Sequence, residues 1–272
     1  MSTSTERITA RSLRAWPLPG GEGSKYERGQ VLVVGGAASS PGAALLAGEA
    51  ALRVGAGRLT LAVDEEVAAR VAVALPESAV LPLGGEHDEY GRANAVLVGP
   101  GLDDADAALA LLDSLVPQIA DDAAVVLDAF ALGVLPRSAI AGRLRGRLIL
   151  TPNREEAELL LGRELDDDLA QLAEIAERYG AVVTSFGSVA APDGRRWAIE
   201  VDSPHLGTSG SGDVLAGAII GLCARGASPE QAAIWGTYLH HSAGRLAGRP
   251  AGAIGYLARD LFRALPAALY AV

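Results

Sequence analysis

Short runs rich in β-branched residues recur along the chain, each set off from the next by a longer Ala/Leu-rich segment of helical period. "QVLVVGG" precedes a helical pattern from Ala43 to Val54, "RLTLAV" precedes Glu65 to Ala74, and "AVLVGPG" precedes Asp104 to Ile119. "AVVLDA" follows, then "RLILTPN" before Glu155 to Leu161, and "AVVTSF" after Leu169 to Tyr179. A chain that alternates strand and helix this often folds as a mostly parallel sheet with helices on both faces, which places it in the α/β class. No low-complexity stretch or shift of composition divides it, so residues 1–272 read as one domain, with 1–24 a poorly defined lead-in.

The strand ends carry the punctuation. Gly35-Gly36, Gly99-Pro100-Gly101, Asp128-Ala129 and Thr151-Pro152-Asn153 each follow an apolar run directly. In open α/β sheets ligands bind beyond the carboxyl ends of the strands, so these turns are expected to converge on one crevice.

Composition narrows the ligand. A formal net charge of −10 with no Lys/Arg cluster argues against nucleic acid or an anionic membrane surface as the main partner and for small molecules. No apolar stretch reaches the roughly 18 residues of a membrane span, and the first residues lack the apolar core of a signal peptide. The sequence reads as cytoplasmic. Its one cysteine, Cys223, lies in an apolar helical pattern and reads as a buried, inert thiol; its one lysine is Lys25.

"HLGTSGSGDVLAGAIIGL" raises the sharpest question. "WAIEV" (Trp197 to Val201) reads as a strand and Val214 to Ala224 as a helix. The glycine-rich stretch 207–212 thus opens a helix N-terminus, where backbone N–H groups and the helix dipole favour an anion. The pattern is neither the Rossmann nor the Walker A motif. Asp213 either caps the helix or takes a proton from a hydroxyl that attacks a phosphate held in the loop. A carboxylate beside a phosphate cradle repels the ligand, which favours the second role. Gly217 and Gly221 read as packing features that let another element approach closely.

These residues resemble the ribokinase-like superfamily, whose glycine-rich anion hole ends in a catalytic aspartate as "GTSGSGD" does. Within it the chain is similar to the ADP-dependent NAD(P)H-hydrate dehydratases. The stretches that carry the likeness are "GQVLVVGGAASSPGAALLAGEAALRVGAGRLTLAV", "AVLVGPGL", "LILTPNREEAELLLG", "SGSGDVLAGAIIGLCARG" and "AAIWGTYLHHSAGRLA". The resemblance implies a ribokinase-like three-layer fold and repair of nicotinamide cofactor hydrated at C6. ADP or ATP, with Mg2+, would phosphorylate the stray hydroxyl, and loss of phosphate would return NADH or NADPH. It implies Asp213 as base, Ala43, Gly101 and Asn153 against the substrate, and a homo-oligomer, a tetramer in the family. Thr184, Ser188, Ser209, Gly210, Ser211 and Gly212 would meet the nucleotide, and Glu156 the water shell of Mg2+. Asn153 and Glu156 also have the spacing of a capping box. Asp128 is a second polar group at a strand tip.

The chain departs from the family pattern at three places. Phe130 stands where a carboxylate is common, Thr184-Ser185 where Lys-Gly is usual, and Asn153 where His is usual. Two further readings keep the same residues: a small-molecule kinase of the superfamily, and a catalytically silent nucleotide-binding relative. His87, His240 and His241 read as structural, with His205 the exception by its position before the glycine loop, and no spacing suggests a zinc site.

Overall fold

The computed structural model describes residues 5–19, 23–166, 168–200, 206–251 and 255–272. Its strands are β1 (Thr5–Ile8), β2 (Gln30–Val34), β3 (Arg58–Val63), β4 (Ser78–Pro82), β5 (Ala95–Val98), β6 (Ala124–Leu127), β7 (Leu148–Leu150), β8 (Val182–Ser185), β9 (Ser188–Ala190) and β10 (Arg196–Ile199). The helices are α1 (Ala10–Arg14), α2 (Pro41–Arg53), α3 (Glu65–Ala74), α4 (Asp88–Arg92), α5 (Ala105–Leu115), α6 (Phe130–Val134), α7 (Arg154–Leu161), α8 (Asp168–Tyr179), α9 (Ser211–Ala224), α10 (Pro229–Ala251) and α11 (Ala258–Tyr270).

One sheet runs through all ten strands in the order β1-β10-β9-β8-β7-β6-β5-β2-β3-β4. From β8 through β4 every pairing is parallel, as the strand-helix alternation predicts, whereas β8, β9 and β10 form antiparallel pairs. The strands β2, β5, β6 and β7 are buried at every position, which requires apolar cover on both faces. That cover forms two apolar clusters. One joins Val33, Ala47, Leu61, Ile219 and Leu239 under α2, α9, α10 and α11; the other joins Leu32, Val98, Leu112, Leu132 and Leu172 under α5, α6, α7 and α8.

Local chemistry explains where elements differ from their sequence pattern. The helix expected from Asp104 to Ile119 stops at Leu115, followed by a tighter turn over Val116–Gln118 that contains Pro117. Strand β10 begins one residue before Trp197 and ends at Ile199, and Val201 lies outside the described residues. The lead-in, which carries no strand pattern, supplies β1, paired in parallel with β10 through Thr5↔Arg196 to Ile8↔Ile199. Helix α9 packs on α2 at backbone distance, as Gly217 and Gly221 anticipate. A Cβ at Gly217 would run into the Ala47 carbonyl oxygen, and one at Gly221 would lie 2.6 Å from that of Ala51. No helix among the described residues is long and apolar enough to cross a membrane.

Candidate functional site

The four punctuated strand ends meet. The Gly36 and Ala37 amides donate to the Pro100 and Gly101 carbonyls at 2.7 and 2.8 Å, and the Ser40 hydroxyl donates to Gly101 O at 2.9 Å. Gly101 adopts φ +71, and a Cβ there would lie 3.1 Å from that of Ala43, so these two residues are neighbours at the start of α2. Gly99 abuts the Asp128 carbonyl so closely that no side chain fits between them. The next residue, Ala129, takes φ 51, a left-handed conformation that costs a non-glycine residue energy and that clusters at functional sites.

Asp128 is buried, and the Thr151 hydroxyl donates to its Oδ1 at 2.7 Å. Burial raises its pKa to about 6 against that hydrogen bond. Glu156 is raised to about 7, chiefly by burial and further by the charges of Asp128 and Glu155. Asp213 is raised to about 7 by burial and then by Asp128. Three carboxyl groups thus share one poorly solvated region, the pattern by which environment sets acid and base roles near neutrality.

Helix α9 opens at Gly210, in the left-handed conformation with φ 85, and no side chain of that N-cap closes the end. A Cβ at Gly210 would meet Leu46 and would lie 3.7 Å from Asp213 Oδ2. Among the described residues the Asp213 carboxylate makes no hydrogen bond, so it does not cap the helix. The Ser211 amide donates to Thr208 O at 3.0 Å, whereas the Gly212 and Asp213 amides have no backbone acceptor; an uncapped end of this kind favours an anion. Helix α7 differs. Asn153 and Glu156 form the full capping box, Glu156 N donating to Asn153 Oδ1 at 3.0 Å and Asn153 N to Glu156 Oε2 at 2.9 Å.

Beside this loop lies a cavity of about 500 Å³ lined by Asn153, Thr184, Phe186, Ser211, Gly212 and His240 among others. Thr184 is almost fully buried and its hydroxyl pairs with that of Thr237 at 2.7 Å, while the Ser185 hydroxyl donates to the Pro152 carbonyl. Phe186 and Gly187, at φ 51 and 75, make the two-residue turn between β8 and β9. That turn holds the half-exposed Phe186 ring at the cavity mouth with the Arg154 guanidinium 5.6 Å from its centre. Ser188 begins β9 beyond the turn, and Ser209 stands exposed in the glycine loop.

The sequence pattern reads His240 as structural, yet in the structure it reaches the loop. Its Nε2 is 3.0 Å from both the hydroxyl and the carbonyl oxygen of Ser211. Burial, with His241 adding to it, pushes its pKa down to about 3, so the ring is neutral across the working range. Thr237, His240 and His241 fall at helical spacing on α10 and all line the cavity, a signal the sequence does carry. His205 lies outside the described residues, and His87 sits elsewhere, 3.0 Å from the Gly84 carbonyl. Phe130 is 42% exposed at the start of α6. Cys223 is buried, with its thiol pushed up to about 12 by burial. No group of three His, Cys, Asp or Glu side chains among the described residues is arranged to hold a metal by itself.

Residues 31–267 match the family model described as NAD(P)H-hydrate dehydratase. An ADP-dependent (S)-NAD(P)H-hydrate dehydratase from Xanthomonas campestris is 41% identical over 96% of this chain and 95% of its own length. A bifunctional NAD(P)H-hydrate repair enzyme from Moorella thermoacetica is 34% identical over 96% of this chain, which spans 54% of that relative's length. Among solved structures, the ADP/ATP-dependent NAD(P)H-hydrate dehydratase from Bacillus subtilis co-crystallized with ATP/Mg2+ superposes with a TM-score of 0.84 at 28% identity, covering 100% of this chain and 99% of that one. A hydroxyethylthiazole kinase from Pyrococcus horikoshii, at 17% identity and a TM-score of 0.58, shares the fold alone.

Proposed function

The chain belongs to the NAD(P)H-hydrate dehydratase family, and from that premise we propose that it restores hydrated NADH and NADPH with an adenine nucleotide as phosphoryl donor. The observation that carries this reading is the uncapped start of α9. Among the described residues it presents unpaired amides to an anion while the Asp213 carboxylate, without a hydrogen bond there and held at about 7, stands beside them.

In this reading Asp213 removes the proton from the ring hydroxyl as its oxygen attacks the terminal phosphorus of the nucleotide, and the bond to the bridging oxygen breaks to release the shortened nucleotide. Phosphate then leaves the ring carbon, driven by the ring nitrogen lone pair, and loss of a proton from the adjacent carbon returns the reduced nicotinamide. Gly210, Ser211 and Gly212 hold phosphoryl oxygens through the backbone, with Ser209 at the loop's outer edge. Ala43 and Gly101 form the floor under the nicotinamide, and Asn153 meets the substrate from the far side. Thr184 and Ser188 shape the nucleotide side, with the Phe186 ring at its mouth.

The carboxyl set fits Mg2+. Burial destabilises both Asp128 and Glu156 as anions, and the charge of Asp128 adds to the effect on Glu156. Mg2+ is commonly held by one or two carboxylates with waters and substrate phosphates, so a full protein cage is not required. Glu156 would meet its water shell, and the ion would offset charge on the nucleotide phosphates. A cytoplasmic tetramer acting as one domain over 1–272 completes the reading; the single continuous sheet supports the one-domain part.

The test supplies purified protein with Mg2+, hydrated NADH and either ADP or ATP, and follows the near-ultraviolet absorbance of reduced nicotinamide. A nucleotide-dependent rise is expected. A phosphorylated product that accumulates without that rise would replace the reading with a kinase.

A further inference from the structure

Helices α2 and α9 both run away from the catalytic crevice, and their far ends frame a second cavity of about 340 Å³. At 1.5 Å per residue the 12 residues from Asp213 to the α9 C-cap Arg225 put that end about 18 Å from Asp213. Arg53 is the last residue of α2 and Arg225 the C-cap of α9; both line the cavity together with Arg28, Gly55, Pro266 and Tyr270. Among the described residues no aspartate or glutamate lines it.

Arginines at helix C-termini ordinarily satisfy terminal carbonyls, and Arg225 does so, its Nη1 donating to Val54 O at 2.6 Å and its Nη2 to Pro19 O at 3.2 Å. Those bonds fix the Arg225 guanidinium in place. They do not account for Arg28, whose Nε is buried with no hydrogen-bond partner among the described residues. A buried donor left unpaired is costly, and a like charge beside it adds to the cost. Burial, and then the charge of Arg28, lowers the pKa of Arg225, which places the two cations within electrostatic reach of one another. Arg53 is partly offset by Glu49 at 2.9 Å. Next to Arg28, Lys25 and Arg58 stand 5.4 and 5.6 Å from the Tyr26 ring centre, neither in an ion pair among the described residues. This concentration of positive charge occurs in a chain whose net charge is −10.

We propose that this cavity is a second anion site, separate from the catalytic crevice, which takes a small phosphorylated metabolite carrying at least two negative charges. Guanidinium forks match phosphate oxygens, and an anion in the cavity offers the Arg28 guanidinium an acceptor. The cavity exceeds the size of a bare phosphate, and Pro266, Leu269 and Tyr270 offer apolar surface to the organic part.

The probe is inorganic pyrophosphate, titrated calorimetrically into protein already saturated with a non-hydrolysable ADP analogue, so that the catalytic loop is filled. Wild type is expected to bind one equivalent. Arg28→Gln is expected to weaken that binding by at least about tenfold while leaving turnover unchanged, and Arg70→Gln, at an exposed site on α3, to leave both unchanged. No pyrophosphate binding to the nucleotide-saturated wild type would overturn the proposal, as would binding that Arg28→Gln leaves intact. Equal weakening by Arg28→Gln and Arg70→Gln would reduce it to diffuse charge attraction and also overturn it.

Discussion

Asp128 acts on Asp213 through space: after burial, the charge of Asp128 is what raises the Asp213 pKa toward 7. The two carboxyl groups come from the tip of β6 and the first turn of α9, and the Thr151 hydrogen bond holds Asp128 in position. This relationship makes the pH dependence of the reaction a property of the pair.

Turnover is expected to rise with pH through about 7 as Asp213 loses its proton. Asp128→Asn, whose amide oxygen still accepts from Thr151, is expected to move that rise to lower pH. Folding stability runs the other way. Asp128, Asp213 and Glu156 are all raised in the folded state, so their contribution is fullest below the ordinary carboxylate range and is lost as pH climbs toward 7. Denaturant unfolding between acid and neutral pH measures it.

Asp213→Asn should lower turnover by at least ~10²-fold with nucleotide affinity retained, since the anion is held by backbone amides. An unchanged rate would remove Asp213 from the chemistry.

At Glu156 the cap and the proposed function separate. Glu156→Gln keeps an oxygen for the Asn153 amide, so the melting temperature should hold while the Mg2+ concentration needed for half-maximal rate rises. Glu156→Ala should in addition cost about 1 kcal/mol through loss of the cap.

His240→Phe preserves the ring volume but leaves the Ser211 hydroxyl and carbonyl without their partner. A loss of roughly 1–3 kcal/mol in unfolding free energy is expected, together with weaker nucleotide binding. Because His240 is neutral across the working range, the pH profile of the remaining activity should not move.

Gly217→Ala is expected to destabilise the fold by about 1–3 kcal/mol or more, because the new methyl group meets the Ala47 carbonyl, and calorimetric melting would register it.

Much of this architecture is legible in the sequence because hydrophobic periodicity is a local property. The α3 limits fall where the pattern puts them, and the convergence of Gly36, Gly101, Asp128 and Asn153 follows from parallel strands ending in turns. Strand β1 is not legible. It has four residues, three of them exposed, and its partner β10 lies far along the chain, so neither alternation nor a nearby turn announces it. His240 is hard to read for a related reason: a single histidine in a helix carries no signal until Thr237 and His241 are read with it as one face. The missing lysine at Thr184 also reads differently in three dimensions, where Thr184 and Thr237 satisfy each other and leave no unpaired polar group behind.

The contact of α9 on α2 through Gly217 and Gly221 bears on tolerance as well as stability. Ala43 rides on the first turn of one helix and Asp213 on that of the other, and with backbone meeting backbone between them the two behave as a single rigid jaw. In the proposed reading the spacing between substrate floor and base is then set by backbone packing, where an error of 1 Å costs on the order of a hundredfold in rate.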